Sequence, residues 1–214
     1  MPETGQYYEF PTESPQVIKE LLEKQLKAPP NRVLSVVGAL WPVFFQDLYP
    51  NAKVQSFDAN LSQIQDSRDE IKEATKRNPI LADVRSEKFE NLLSWIETDE
   101  RVRGLLFLSN IPNYLTSDEA MMLAENIADT QVRFVLFSSV NAKYLNQLTS
   151  KNTRAYDSAP ELAHALQEQG YKITEHKENP ATGSQFGVCE FYLAILPKPA
   201  KHIPKVFFKP RVLD

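Results

Sequence analysis

Short apolar runs alternate with longer amphipathic ones through most of this chain. RVLSVVG (32–38) is apolar, rich in β-branched residues and closed by glycine, which predicts a buried strand. KVQSFDA (53–59), PILADV (79–84), GLLFLSN (104–110) and VRFVLFSSV (132–140) repeat the pattern. Between them, apolar positions fall at helical spacing over 39–49, 61–75, 86–97 and 116–129. Thr116 stands three residues before Glu119, the spacing of a capping box. A further helix over 161–170, closed by Gly170, leads into two strands, 171–178 and 188–199, joined by NPATGSQFG. Ahead of the series, PQVIKELLEKQLKA (15–28) reads as a helix, with Ser14 as its cap and Pro15 as its first residue. The prolines at 29 and 30 stop it.

Strand and helix in strict alternation predict an α/β fold: a mostly parallel sheet with helices on both faces. The apolar runs 104–109 and 132–137 suit its centre. The last two strands are joined by a loop too short for a parallel crossover. One of them must therefore run antiparallel to the rest. The expected whole is a seven-stranded sheet ending in an antiparallel β-hairpin. Residues 1–14, with Tyr7, Tyr8 and Phe10, lack a period and read either as a loose end or as an aromatic arm over a pocket. The basic, proline-punctuated tail at 200–214 is expected to pack back on the domain or to contact another chain, a homo-oligomeric contact included.

Composition narrows the chemistry. The chain of 214 residues is 42% hydrophobic and 24% charged, which is ordinary globular usage. A net charge of -4 argues against a broad nucleic-acid surface. No apolar run reaches the roughly 20 residues that cross a bilayer, and residues 1–15 lack the basic start and apolar core of a secretory signal. A lone cysteine, Cys189, excludes an internal disulfide and suits a reducing compartment, so a cytoplasmic protein is expected. Its thiol reads as a buried structural one. The three histidines, His164, His176 and His202, are scattered, and no zinc or iron site is expected. GxSxG, P-loop and GxGxxG motifs do not occur.

The strand ends carry the candidates. In an open α/β sheet, ligands sit beyond the carboxyl ends of the strands, where the strand order reverses. Gly38 closes the first strand, Asp58 the second, and Asp83 follows the third. The fourth ends in Ser109-Asn110-Ile111-Pro112-Asn113-Tyr114. A glycine lets backbone approach a ligand closely, a carboxylate can take two hydroxyl hydrogen bonds, and an Asn amide offers both donors and an acceptor. Each has a structural alternative: Gly38 a plain turn, Asp83 a helix cap, Tyr114 a ring packed on the sheet end. Ser138 and Ser139 could line the same mouth. Trp41 reads as a pocket wall or core filler.

Gly38, Asp58, Asp83 and the SNIPNY stretch, in this order and at these intervals, resemble the class I S-adenosylmethionine-dependent methyltransferases over roughly residues 30–198, within an expected domain at 31–199. That resemblance implies the Rossmann-like methyltransferase fold, with S-adenosylmethionine as cofactor and a small-molecule acceptor as partner. It implies that Gly38 meets the methionine part and that Asp58, with Ala59, holds the ribose. Asp83 would lie near the adenine, Ser109 beside the cofactor, and Asn110 and Tyr114 on the acceptor side as the catalytic pair. The family's first turn holds two or three glycines, whereas SVVGALW holds one. Leu108-Ser109-Asn110, and Asp58-Ala59-Asn60 with Gln63, are also similar to the 3-amino-3-carboxypropyltransferases of betaine-lipid synthesis, which transfer a different carbon from the same sulfonium. The competing expectation is a non-catalytic binding module that kept the fold.

Overall fold

The computed structural model describes residues 15–38, 41–96, 103–140, 156–178 and 189–197. The elements are α1 (Pro15–Gln25), β1 (Arg32–Val36), α2 (Trp41–Leu48), β2 (Lys53–Asp58), α3 (Leu61–Thr75), β3 (Ile80–Leu81) and α4 (Glu87–Trp95). They continue with β4 (Gly104–Leu108), a 3-10 turn (Ile111–Tyr114), α5 (Ser117–Asp129), β5 (Phe134–Val140), α6 (Ala159–Glu168), β6 (Lys172–Glu178) and β7 (Cys189–Ile195). The aromatic arm at 1–14, the tail at 200–214 and the thiol of Cys189 lie outside what is described.

All seven strands form one sheet in the order β3-β2-β1-β4-β5-β7-β6. β1 to β5 are parallel, and β7 is antiparallel to both β5 and β6. The expected architecture, terminal hairpin included, is therefore the one observed. The chain leaves β1 towards β2 on one side and returns to β4 on the other, so the strand order reverses between β1 and β4.

The register shows that helices cover both faces. Ser35 is level with Phe107 on β4, and its neighbour Val36 is level with Phe57 on β2. Successive side chains in a strand point to opposite faces, so Phe107 and Phe57 do too. Phe107 meets Trp41 and Phe45 of α2 at ring distances of 5.0 and 5.1 Å. Phe57 meets Phe89 of α4 at 5.0 Å. Every residue of β4 and β5 is buried, as central parallel strands require. Trp41, 3% exposed, belongs to this core.

The third strand is shorter than its sequence run. Only Ile80 and Leu81 pair with Phe57 and Asp58, and Ala82 N–H adds one bond to the Asp58 carbonyl at 2.9 Å. Pro79 has no N–H to extend the ladder on its other side. The capping box at α5 forms as its spacing predicts: Thr116 and Glu119 exchange side-chain-to-backbone bonds. The stretch after β4 coils into the 3-10 turn through Asn113 N–H to Asn110 O at 3.1 Å.

Candidate functional site

The carboxyl ends of β1, β2 and β4 converge where the strand order reverses. Val37 N–H donates to the Phe57 carbonyl at 3.0 Å and so carries the β1–β2 ladder one residue past β1. That bond seats Asp58 beside the backbone that leads into Gly38. Asp58 is half-buried, and its Oδ1 accepts the Asn60 N–H at 2.8 Å. Burial pushes its carboxyl above the usual carboxylate range, against the pull of the Asn60, Ala59 and Val37 N–H groups. Asn60 takes the capping role at α3, accepting from Ser62 N–H at 3.0 Å, so Asp58 is not needed for it. Ala59 is exposed beside it.

Gly38 is not demanded by the chain. A Cβ built there meets nothing within 4 Å, and its φ lies outside the left-handed region. Among the described residues, the space a side chain would fill is open. Trp41 does not plug it, because its ring is turned into the core against Phe107.

Across β1 from Asp58 lies the end of β4. Asn110 stands two residues past Leu108, the last of β4, as Gly38 stands two past Val36, the last of β1. Asn110 has a left-handed backbone (φ 53°), which Asn tolerates better than most residues. It is 5% exposed. Its N–H donates to Ser138 Oγ on β5 at 3.1 Å, so Ser138, buried beside Ser139, holds the turn in place. Asn110 Oδ1 is buried with no hydrogen-bond partner. Ser109 and Tyr114 are partly exposed on either side of the turn.

Asp83 is differently engaged. Arg85 donates to it through Nε at 2.8 Å and Nη2 at 2.7 Å, and through its backbone N–H at 2.9 Å. These bonds hold the carboxyl below its usual range. Ser86, not Asp83, caps α4 by accepting from Phe89 N–H. Arg85 Nη1 also reaches Glu119 Oε1 at 3.2 Å, joining the loop after β3 to the first turn of α5. Arg85 carries no motif and Glu119 only that of the capping box, and neither was among the sequence candidates for the site. Asn113 was likewise missed: buried, it donates to the Val140 and Tyr156 carbonyls and accepts from Val140 N–H.

The strand ends 36–38, 58–60, 108–112 and 138–140 carry one carboxylate, Asp58, and no Lys or Arg. Such a mouth favours a cationic ligand. Among the described residues no group of His, Cys, Asp or Glu could hold a metal ion. His164 is exposed, 3.8 Å from Glu168 on the same helix. No described helix is long and apolar enough to cross a membrane.

Sheet order, antiparallel seventh strand and two-sided helical cover define the class I methyltransferase fold. Solved structures agree. The chain is similar to magnesium protoporphyrin IX methyltransferase (ChlM) from Synechocystis PCC 6803 with bound SAH, at 14% identity and a TM-score of 0.58, over 86% of this chain and 82% of that one. It is similar to N-methyltransferase NodS from Bradyrhizobium japonicum WM9 in complex with S-adenosyl-L-homocysteine, at 13% identity and a TM-score of 0.59, over 86% and 85%. The methyltransferase domain of bacterial CtHen1 matches at 11% identity and a TM-score of 0.58, over 85% and 96%. At these identities the likeness is one of fold. No protein-family model matches the sequence, and no curated protein matches it.

Proposed function

We propose that the chain is an S-adenosylmethionine-dependent transferase that passes a methyl group, or the 3-amino-3-carboxypropyl group, to a small-molecule acceptor. The observation that carries this reading is the placement of Asp58: a half-buried carboxylate beside the backbone leading into Gly38, with open space where a Gly38 side chain would stand. A carboxylate there can accept both hydroxyls of a ribose. The open side of Gly38 admits the amino-acid end of the same ligand without a steric clash. S-adenosylmethionine, when bound, supplies a carbon already activated by its sulfonium. The chain's own work is then to bind, orient and exclude water. Within the strand ends 36–38, 58–60, 108–112 and 138–140, Asp58 is the one charged residue, and its carboxylate can oppose the charge of a cationic ligand. Asn110 and Tyr114, at the end of β4, stand on the acceptor side. Asp83, held by Arg85, shapes the adenine side in concert with Glu119.

The fold's structural neighbours support the same reading, since ChlM and NodS were crystallised with S-adenosyl ligands. The test is calorimetry with S-adenosylmethionine and S-adenosylhomocysteine, beside mass spectrometry of ligand retained on purification. Saturable binding lost in Asp58→Ala is expected. No binding at about 1 mM, where affinity is worth only roughly 4 kcal/mol, overturns the reading.

A further inference from the structure

The opposite ends of β1 and β2 carry the opposite charge. Arg32 opens β1, Lys53 opens β2, and the two are level in the sheet. Level residues of parallel neighbours point to one face. That face is the one α4 covers, since Phe57, four residues after Lys53, meets Phe89. The last residue of α4, Trp95, collects two guanidinium groups: Arg32 Cζ lies 5.7 Å and Arg77 Cζ 5.3 Å from the centre of its ring. Both are fixed from behind. Arg32 Nη1 donates to the Trp95 carbonyl. Arg77 precedes Asn78, whose carbonyl accepts from Gln55 Nε2 of β2 at 2.9 Å. Three cations thus gather at one indole, and among the described residues none of them forms an ion pair. An exposed ring attracts each cation by only about 0.5–1 kcal/mol, which sets its place and leaves its charge unbalanced. Lys53 is exposed, and Arg32, Arg77 and Trp95 are half-buried, so a ligand can reach all four.

We propose that Arg32, Lys53 and Arg77, arrayed around Trp95, bind a phosphate group at a second site, roughly 16 Å along β2 from Asp58. Two features select phosphate over a carboxylate. A phosphate monoester brings close to two negative charges and three acceptor oxygens to three cations, where a carboxylate brings one charge and two oxygens. The planar guanidinium fork also matches phosphate oxygens in pairs. The Asp58 carboxylate disfavours such a group in the crevice at the other end, so the two sites sort ligands by sign. The proposal stands apart from the transferase reading and needs no adenosyl ligand. Two sources supply the group: a soluble phosphate ester or a lipid head group.

The chain has two tryptophans, and Trp41 is buried in the core, so its indole N–H signal is the reference for that of Trp95. Inorganic phosphate is titrated against chloride at constant ionic strength. Sedimentation follows binding to phosphatidylcholine vesicles carrying phosphatidate or, at equal charge, oleate. The test variant joins Lys53→Gln to Arg77→Gln, and Asp58→Ala is the control. Melting curves and an unmoved Trp41 signal verify that each folds. One supporting result is a saturable shift of the Trp95 signal by phosphate, weakened about ten- to a hundredfold in the double variant and kept in Asp58→Ala. Without sedimentation, it names a soluble ester. The other is sedimentation with phosphatidate but not oleate, lost in the double variant. It names a lipid head group, whatever free phosphate does. The proposal is overturned if chloride or oleate acts as well as the phosphate probes, or if the double variant binds them like wild type. It is equally overturned if neither probe binds; the acids that follow Trp95 in sequence, Glu97, Asp99 and Glu100, which lie outside the described residues, are then the counter-ions. Failure of S-adenosylhomocysteine to bind would end the transferase reading and leave this result as it stands.

Discussion

Asn113 and Val140 exchange two hydrogen bonds, Asn113 Nδ2 to the Val140 carbonyl at 2.8 Å and Val140 N–H to Asn113 Oδ1 at 2.9 Å. A side-chain amide thereby acts as one more rung at the end of β5. The same Nδ2 donates to the Tyr156 carbonyl at 2.9 Å, and the Asn113 carbonyl accepts from Tyr156 N–H at 3.0 Å. The turn after β4, the end of β5 and the approach to α6 are fixed by one residue.

Asn113→Ala is therefore expected to destabilise the fold by about 2–4 kcal/mol, because it strands buried backbone groups as well as removing bonds. Urea denaturation measures it. A loss under about 0.5 kcal/mol, the level of an ordinary surface change, would contradict the bracing role.

Asp58 should cost stability while enabling binding. Its folded carboxyl sits above its ordinary value, so the native state holds its proton more tightly than the unfolded chain. Its contribution to stability then falls as pH rises from the ordinary carboxylate value through the raised one, and stays lowered at neutral pH. Asp58→Asn should remove that slope and melt no lower than wild type at pH 7. Asp58→Ala should lose about 1.5–3 kcal/mol of S-adenosylhomocysteine binding if the carboxylate holds hydroxyls. A destabilised Asp58→Asn with unaltered ligand affinity would refute both halves.

The Asp83–Arg85–Glu119 cluster has the opposite sign. Bonds from Arg85 hold Asp83 below its usual range, and the Thr116 N–H, followed by Arg85, does the same for Glu119. Their stabilisation is full above the usual carboxylate range and is lost as pH falls through the depressed values. The side chains are partly exposed, at 35%, 49% and 30% for Asp83, Arg85 and Glu119, so solvent screens the effect to under about 1 kcal/mol. Arg85→Met should flatten the acid limb of the stability–pH curve and leave stability almost unaltered once the pH lies below both depressed carboxyl values. An equal loss there and at pH 7 would show packing, not charge, at work.

Gly104 opens β4 at the end remote from the site. A Cβ there would lie 2.5 Å from the Ile96 carbonyl oxygen. Gly104→Ala should cost about 1–3 kcal/mol through forced backbone movement. Nucleoside affinity of the folded fraction should stay unchanged. Thermal unfolding and calorimetry on the same sample separate the two.

Most of the scaffold was legible because it follows local rules. β-branched runs gave the strands, and the Thr116–Glu119 pair gave a cap. Asp58 and Gly38 could be proposed as neighbours because parallel strands in this order must end side by side. Other features depend on sequence-distant partners. Arg85 meets Glu119 only because the loops after β3 and β4 emerge at one end of the sheet, and nothing near either residue announces it. Asn113 reads as one polar residue of a turn until Val140 and Tyr156 are brought to it. The brevity of β3 depends on an edge position that sequence period alone does not reveal.

The sheet's outer strands have a consequence for the company the molecule keeps. On one margin β3 offers a neighbour two residues to zip onto. On the other, β6 reads KITEHKE, with charge of both signs along its length. A long, bare, apolar border invites another chain to add itself rung by rung. Here one border is too brief and the other too charged, so crowding should not draw copies of this protein into runaway stacking through their sheets.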